Sequence, residues 1–236
     1  MPDICRMKIV ITSATANEWR EINNNINPLY IAESHPFQVS FHKSGVGTLL
    51  TAYSLAKLIT EHKPNLIIQA GIAGTFDTTF ELGEVIVVKD EYLGDVGVEE
   101  NGKFNDIFDL ELENNNQFPF ENKKLSNPWL NKFNPLKLPE VTAVTINEVS
   151  TKTERIQQLK HKFGAVIESM EGAALHYVCL QTSTPFIQIR SISNYVGERD
   201  KSKWQIKKSL DNLSSTVLNY IEQLAINEIE VLNAQG

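Results

Sequence analysis

Side chains able to do chemistry collect at four points of the 236-residue sequence, each just after an apolar, strand-like run. Thr15, Asn17 and Glu18 follow KIVIT at residues 8–12. The glycines of AGIAG, residues 70–74, follow the run at 66–69. Ser169, Met170 and Glu171 follow residues 165–168, and Ser193 and Asn194 follow FIQIRSI at 186–192. Carboxylates there can take up and release protons, an amide can donate and accept hydrogen bonds without moving a proton, and glycines let a ligand approach the backbone. Taken singly, each has a plainer reading. Glu18 and Glu171 would suit the first turn of a helix, where an acid meets the positive end of the dipole. Asn194 can cap a turn, and Gly71 and Gly74 can be turn glycines. Arg190, inside an otherwise apolar strand, must be paired or reach solvent, because a lone buried charge is costly. Neither GxGxxG nor GxxxxGK(S/T) occurs, so a phosphate cradle has no motif support.

The elements that must hold these four points alternate between strand and helix. Short apolar runs at 8–12, 37–41, 66–69, 85–88, 141–146, 165–168 and 186–192 predict strands. Helical spacing predicts helices at about 48–62, ending before Pro64, and at 153–162, 171–181 and 202–224. The glycines of residues 70–74 read as a flexible turn after the third strand. Residues 101–139, rich in Asn and carrying four prolines, read as a long excursion of loops with irregular strand pieces. No repeat or linker divides the chain. The pattern predicts one α/β domain over 1–236, with a core at about 7–225: a three-layer αβα arrangement around a central mixed sheet. In such sheets ligands collect where strands end and loops open.

Bulk properties narrow the partners. A formal charge of -7 argues against nucleic acid, and 42% hydrophobic residues suffice for a substantial core. Cys5 and Cys179 form no CxxC pair, and five scattered histidines offer no zinc-ligand spacing, so no metal is expected. Cys179, in the apolar run AALHYVCL, reads as a buried, inert thiol. The opening MPDICRMKIVIT lacks the apolar stretch of a signal peptide, and no window approaches the roughly 18–20 apolar residues of a membrane span. These features predict a cytoplasmic protein without membrane attachment.

Taken together and in this order, MKIVITSATANE (residues 7–18), KSGVG (43–47), AGIAG (70–74), ESMEGAALHYVC (168–179) and RSISNYVGERDKSKW (190–204) resemble the nucleoside phosphorylase/nucleosidase superfamily. The resemblance covers roughly residues 7–225, is most specific at SMEGAA followed by RSISN, and leaves 101–139 nearly unmatched. Among its branches the sequence looks most similar to the futalosine hydrolases, and next to the methylthioadenosine/S-adenosylhomocysteine nucleosidases. The resemblance implies the phosphorylase/hydrolase-like fold and cleavage of a purine from ribose without a cofactor. It implies a homodimer or larger assembly, in which a neighbouring subunit helps close the pocket. It assigns Glu18 to holding and activating the attacking water, Glu171 to the ribose 2′- and 3′-hydroxyls, and Met170 to packing beneath the sugar. Trp204 walls the pocket and Val46 lies near the 5′ substituent. Ala14, Ala73, Gly74, Arg190 and Ser193 join these as substrate-binding residues.

Two departures sharpen the expectation. Adenine-specific nucleosidases carry Ser-Asp where this chain has Ser193-Asn194, and that aspartate handles a proton at purine N7. An Asn amide supplies no proton, but its NH₂ can donate to N7 and to a 6-oxo group, which suits hypoxanthine or guanine over adenine. Phosphorylase relatives hold phosphate with an Arg and a Ser near the central glycines, where this chain has Gln69 and Ile72. An isoleucine offers a phosphate nothing, so water is the expected nucleophile. The expected reaction is hydrolysis of futalosine to release hypoxanthine, with a methylthioadenosine/S-adenosylhomocysteine nucleosidase or a phosphorolytic enzyme as alternatives. Arg199, Lys201 and Lys203 are candidates for a basic rim around futalosine's 5′ carboxyphenyl group, and read equally well as a solvated loop.

Overall fold

The computed structural model describes residues 7–32, 35 and 37–234, with side chains described through residue 226. Cys5 and the opening residues lie outside the described residues. In chain order the elements are β1 (Met7–Ser13), α1 (Ala16–Asn25), β2 (Phe37–Lys43), α2 (Thr48–His62), β3 (Leu66–Thr75) and β4 (Val85–Leu93). Next come β5 (Gly97–Glu100), β6 (Lys103–Asp106), β7 (Leu125–Ser126), α3 (Leu130–Phe133), β8 (Glu140–Thr145) and α4 (Thr153–Phe163). The chain finishes with β9 (Ile167–Ser169), α5 (Gly172–Gln181), β10 (Phe186–Tyr195) and α6 (Ile206–Ala234).

The central sheet is mixed, as expected. β2, β1, β3 and β10 run parallel, β4 joins β10 antiparallel, β8 runs parallel to β4, and β9 runs parallel to β8. The last residues of β3 pair antiparallel with β9, so β3, β10, β4, β8 and β9 close into a ring. The apolar runs are continuous because both faces are covered. Ile9, Ile11, Leu66, Ile68, Ile187 and Ile189 pack towards α6, whose Leu213, Val217, Ile221 and Leu224 form the facing stripe. Val10, Ile67 and Phe186 face the other way, onto Leu55, Leu58 and Ile59 of α2 and Leu175, Val178 and Cys179 of α5. This strict alternation is the period of two of a strand buried on both sides. Cys179 is fully buried there, and burial pushes its thiol pKa up, in keeping with an inert side chain.

Three sequence expectations need correction. Residues 70–74 are not a turn: β3 runs unbroken to Thr75, because β10 pairs with it from Ile67 to Thr75. Ser193 and Asn194 lie within β10 rather than beyond it, for the same reason. The last helix begins at Ile206, since Lys201–Lys203 forms a separate 3-10 turn capped by the Asp200 carboxylate. The excursion at 101–139 contains β6, which forms a hairpin with the preceding β5, and then β7 and α3. Buried Phe104, Leu125, Leu130 and Phe133 tie it into the core, and ion pairs hold it as well. Lys123 and Lys162 of α4 both reach the buried Asp106 carboxylate, at 3.2 and 3.0 Å. Among the described residues no helix is long and apolar enough to cross a membrane, and no group of three or more His, Cys, Asp or Glu is placed to hold a metal ion.

Candidate active site

The ends of β1, β3, β9 and β10 and the starts of α1, α2, α5 and α6 enclose a cleft of about 390 Å³. Its wall includes Ala14, Glu18, Val46, Ala73, Gly74, Met170, Glu171, Ser193, Asn194 and Trp204, so ten of the residues singled out from the sequence meet in one place. Arg190 is the exception. It is 2% exposed and lies beneath the cleft, where Nη2 donates to Gln69 Oε1 at 2.8 Å and pairs with Glu171 Oε2 at 3.5 Å. A guanidinium inside an apolar strand needs such partners, and here it is paired, as a buried charge must be.

Glu18 occupies the third position of α1. Its Oε2 accepts from the Thr15 backbone N–H at 2.9 Å and the Thr15 hydroxyl at 3.2 Å, and Oε1 accepts from Ile72 N–H at 3.4 Å. The same acid caps the helix and lines the cleft. Burial raises its pKa, with Arg190 and the Thr15 N–H pulling the other way, which brings the carboxylate closer to a working base. Gly71 makes this meeting possible. A side chain there would place Cβ 2.2 Å from Arg190 Nη1 and 2.9 Å from Glu18 Oε1.

Glu171 precedes α5 and is buried. Its Oε1 accepts from Gly47 N–H at 3.1 Å, and Gly47 can turn that N–H inward because its φ is +88°. Behind it lies Glu91, fully buried in β4. The Thr145 hydroxyl donates to its Oε1 at 2.7 Å while accepting from Ala173 N–H at 2.7 Å. Burial raises the Glu91 pKa to about 7.

At the opposite end, the Ser193 hydroxyl lies 2.8 Å from Asn194 Oδ1 and 3.2 Å from the Ala73 carbonyl. One N–H of Asn194 donates to the Tyr195 carbonyl at 3.2 Å. The oxygen is thus turned to Ser193, and the second N–H is left for a ligand. Ile72, Ile146, Val149, Met170, Trp204, Ile206 and Leu210 supply apolar walls. Trp204 is fixed by Nε1–H donating to the Glu198 carbonyl at 3.0 Å, and the Arg199 guanidinium lies 5.6 Å from its ring centre. Lys203 pairs with Glu198 at 2.7 Å in solvent, and none of Arg199, Lys201 and Lys203 lines the cleft.

Comparison with known proteins decides the family, because the model of the phosphorylase superfamily matches residues 5–225. The chain belongs to the phosphorylase superfamily. It is 29% identical over 180 residues to a futalosine hydrolase of Thermus thermophilus, covering 74% of this chain and 77% of that one. It is 26% identical over 196 residues to a 5′-methylthioadenosine/S-adenosylhomocysteine nucleosidase of Bacillus velezensis, covering 79% and 82%. Among solved structures, a futalosine hydrolase of Helicobacter pylori superposes with a TM-score of 0.75 at 17% identity, over 93% of this chain and 99% of that one. A methylthioadenosine/S-adenosylhomocysteine nucleosidase of Colwellia psychrerythraea in complex with adenine gives 0.73 at 22%, over 93% and 96%. This member of the superfamily is therefore an enzyme of nucleosidase type with the phosphorylase-like fold.

Other wall residues escaped the sequence reading. Ile146, Val149, Ile206 and Leu210 are ordinary apolar positions in sequence, and only the fold turns them into the cleft. Glu168 also lines the cleft and Glu91 lies behind it, and in sequence neither is set apart from the other acids.

Proposed function

We propose that this superfamily member hydrolyses the N-glycosidic bond of a 6-oxopurine nucleoside, and that its substrate is futalosine. The observation that carries the reading is the amide of Asn194, which lines the cleft with its oxygen on the Ser193 hydroxyl and one N–H on the Tyr195 carbonyl, and so has a second N–H to give. Such a group gives a hydrogen bond to N7 or O6 of hypoxanthine but supplies no proton. The similarity to the Thermus thermophilus futalosine hydrolase supports the choice of substrate. Hydrolysis, rather than phosphorolysis, is supported by the sugar side of the cleft. Ile72 carries no charge there, and Arg190 is already taken up by Glu171 and Gln69.

In this reading water attacks the anomeric carbon as the bond to the base N9 breaks and its electron pair leaves with the purine. Glu18 orients the water and accepts its proton, Glu171 holds the ribose hydroxyls, and the Glu171 charge favours the cationic sugar of the transition state. Asn194 stabilises the negative charge that appears on the base. The assembly belonging to this reading is a homodimer in which a second copy covers Leu49 and Tyr53 of α2, 81% and 73% exposed, next to the cleft residue Val46. The deciding experiment is hypoxanthine release from futalosine in phosphate-free buffer, with methylthioadenosine and inosine alongside. Release from futalosine supports the proposal. Cleavage of methylthioadenosine with silence on futalosine overturns the reading of Asn194.

A further inference from the structure

Beside the acids of the sugar end, the cleft holds a carboxylate with no role so far. Glu168 lies in β9 and is 6% exposed. Its Oε1 accepts from Ser150 N–H at 3.3 Å, while Oε2 is buried without any hydrogen-bond partner. An orphaned buried carboxylate oxygen is costly unless something donates to it. Sheet register places this group opposite Asn194. Gly74 of β3 pairs with Asn194 of β10 on one side and with Glu168 of β9 on the other. A Cβ built on Gly74 would lie 3.2 Å from Asn194 Nδ2 and 3.7 Å from Glu168 Cγ, so both side chains lean over the space that this glycine leaves open. Those distances put Asn194 Nδ2 and Glu168 Cγ within about 7 Å of each other, so neighbouring atoms on the edge of one base can reach both side chains.

Along one edge a 6-oxopurine presents N7 and O6 as acceptors, followed by N1–H as a donor. Adenine has an unprotonated N1 that only accepts. Resting on the 6-oxopurine reading above, we infer that Glu168 is the acceptor for the purine N1–H, so that it and Asn194 together read the edge of the base. The amide donates to the acceptors at one end of the edge and the carboxylate accepts at the other. An adenine in the same place would set its N1 lone pair against the carboxylate, which rejects it as well as failing to attract it. Burial raises the Glu168 pKa to about 7, against Ser150 and Arg155, so the carboxylate that accepts N1–H and repels adenine prevails above that pH, and the titrations belong there.

The test is calorimetric titration of free hypoxanthine and free adenine into the wild-type protein and the Glu168→Gln and Glu168→Leu variants, with folding verified by thermal melting. In Glu168→Gln the side-chain carbonyl can still accept from hypoxanthine, and the NH₂ can now donate to adenine N1. The wild-type preference for hypoxanthine should shrink roughly 10- to 100-fold, mainly through gained adenine binding. Glu168→Leu should lose hypoxanthine binding without gaining adenine. A purely structural role would weaken both bases alike. Should the ratio stay unchanged in Glu168→Gln, the inference about Glu168 is overturned while the reading of Asn194 stands. A wild-type preference for adenine overturns the 6-oxopurine reading itself, and this inference with it.

Discussion

Replacing Gly71 with alanine tests whether the floor of the site is built as described. The added methyl would sit 2.2 Å from Arg190 Nη1, 3.3 Å from Arg190 Cζ and 2.9 Å from Glu18 Oε1. A flexible arginine could normally swing aside, but this one is 2% exposed and held by Gln69 at 2.8 Å and Glu171 at 3.5 Å. Moving it by an ångström or more breaks both contacts and leaves charges buried without compensation. Separating a buried pair costs about 3–5 kcal/mol, and a chain of this size loses about 2–4 °C in Tm per kcal/mol, so Tm should fall by about 6 to 20 °C. Displacing Glu18 by a similar distance should lower kcat on the active nucleoside about 100-fold. The measurements are calorimetric melting and steady-state release of base. Gly164→Ala is the control: unlike Gly71, Gly164 has a positive φ, +62°, yet nothing lies within 4 Å of its Cβ position, so it should lose only about 1 kcal/mol. A Gly71→Ala protein that melts and turns over like the wild type would refute the crowded floor and the placement of Arg190 between the two acids.

Glu18→Gln should lower kcat by about 100- to 10,000-fold with little change in KM, because the amide cannot take the proton of water. Its Tm should hardly move, since Gln can still accept from Thr15 N–H. Glu91 has its folded pKa raised from 4.5 to about 7, so its stabilising contribution is present below 4.5 and is lost as pH rises to about 7. Melting curves across that range should therefore show wild type losing stability relative to Glu91→Gln by at most about 1.4 kcal/mol per pH unit, and parallel curves would contradict this. Leu49→Glu should shift sedimentation towards monomer if a second copy covers α2, and an unchanged dimer would place the interface elsewhere.

Much of the frame was legible in advance because it rests on local periodicity. The runs around Ile9, Ile67 and Ile187 had to be strands covered on both faces, and α2 had to stop before Pro64. Glu18, Glu171 and Asn194 were also legible as polar groups at strand ends. Residues 70–74 misled because glycines read as a turn when no neighbour is known. In the fold they are strand residues stripped of side chains so that Arg190 and Glu18 can meet over Gly71, and Asn194 and Glu168 over Gly74. Glu91 and Glu168 were unreadable as site residues, since an acid in sequence says nothing about which carboxylate will be left half-partnered in the interior.

What the sequence determined by itself is the inventory and the elements: which acids, amides and glycines exist, and which segments are strand or helix, because those depend on neighbours a few residues away. What only the tertiary structure decided is pairing. Gln69 and Arg190 are 121 residues apart, and Gly47 and Glu171 are 124 apart. The first contact follows from the register of β3 and β10, where a slip of one residue would turn Gln69 or Arg190 to the opposite face, and the second from the packing of α2 against α5 on one side of the sheet.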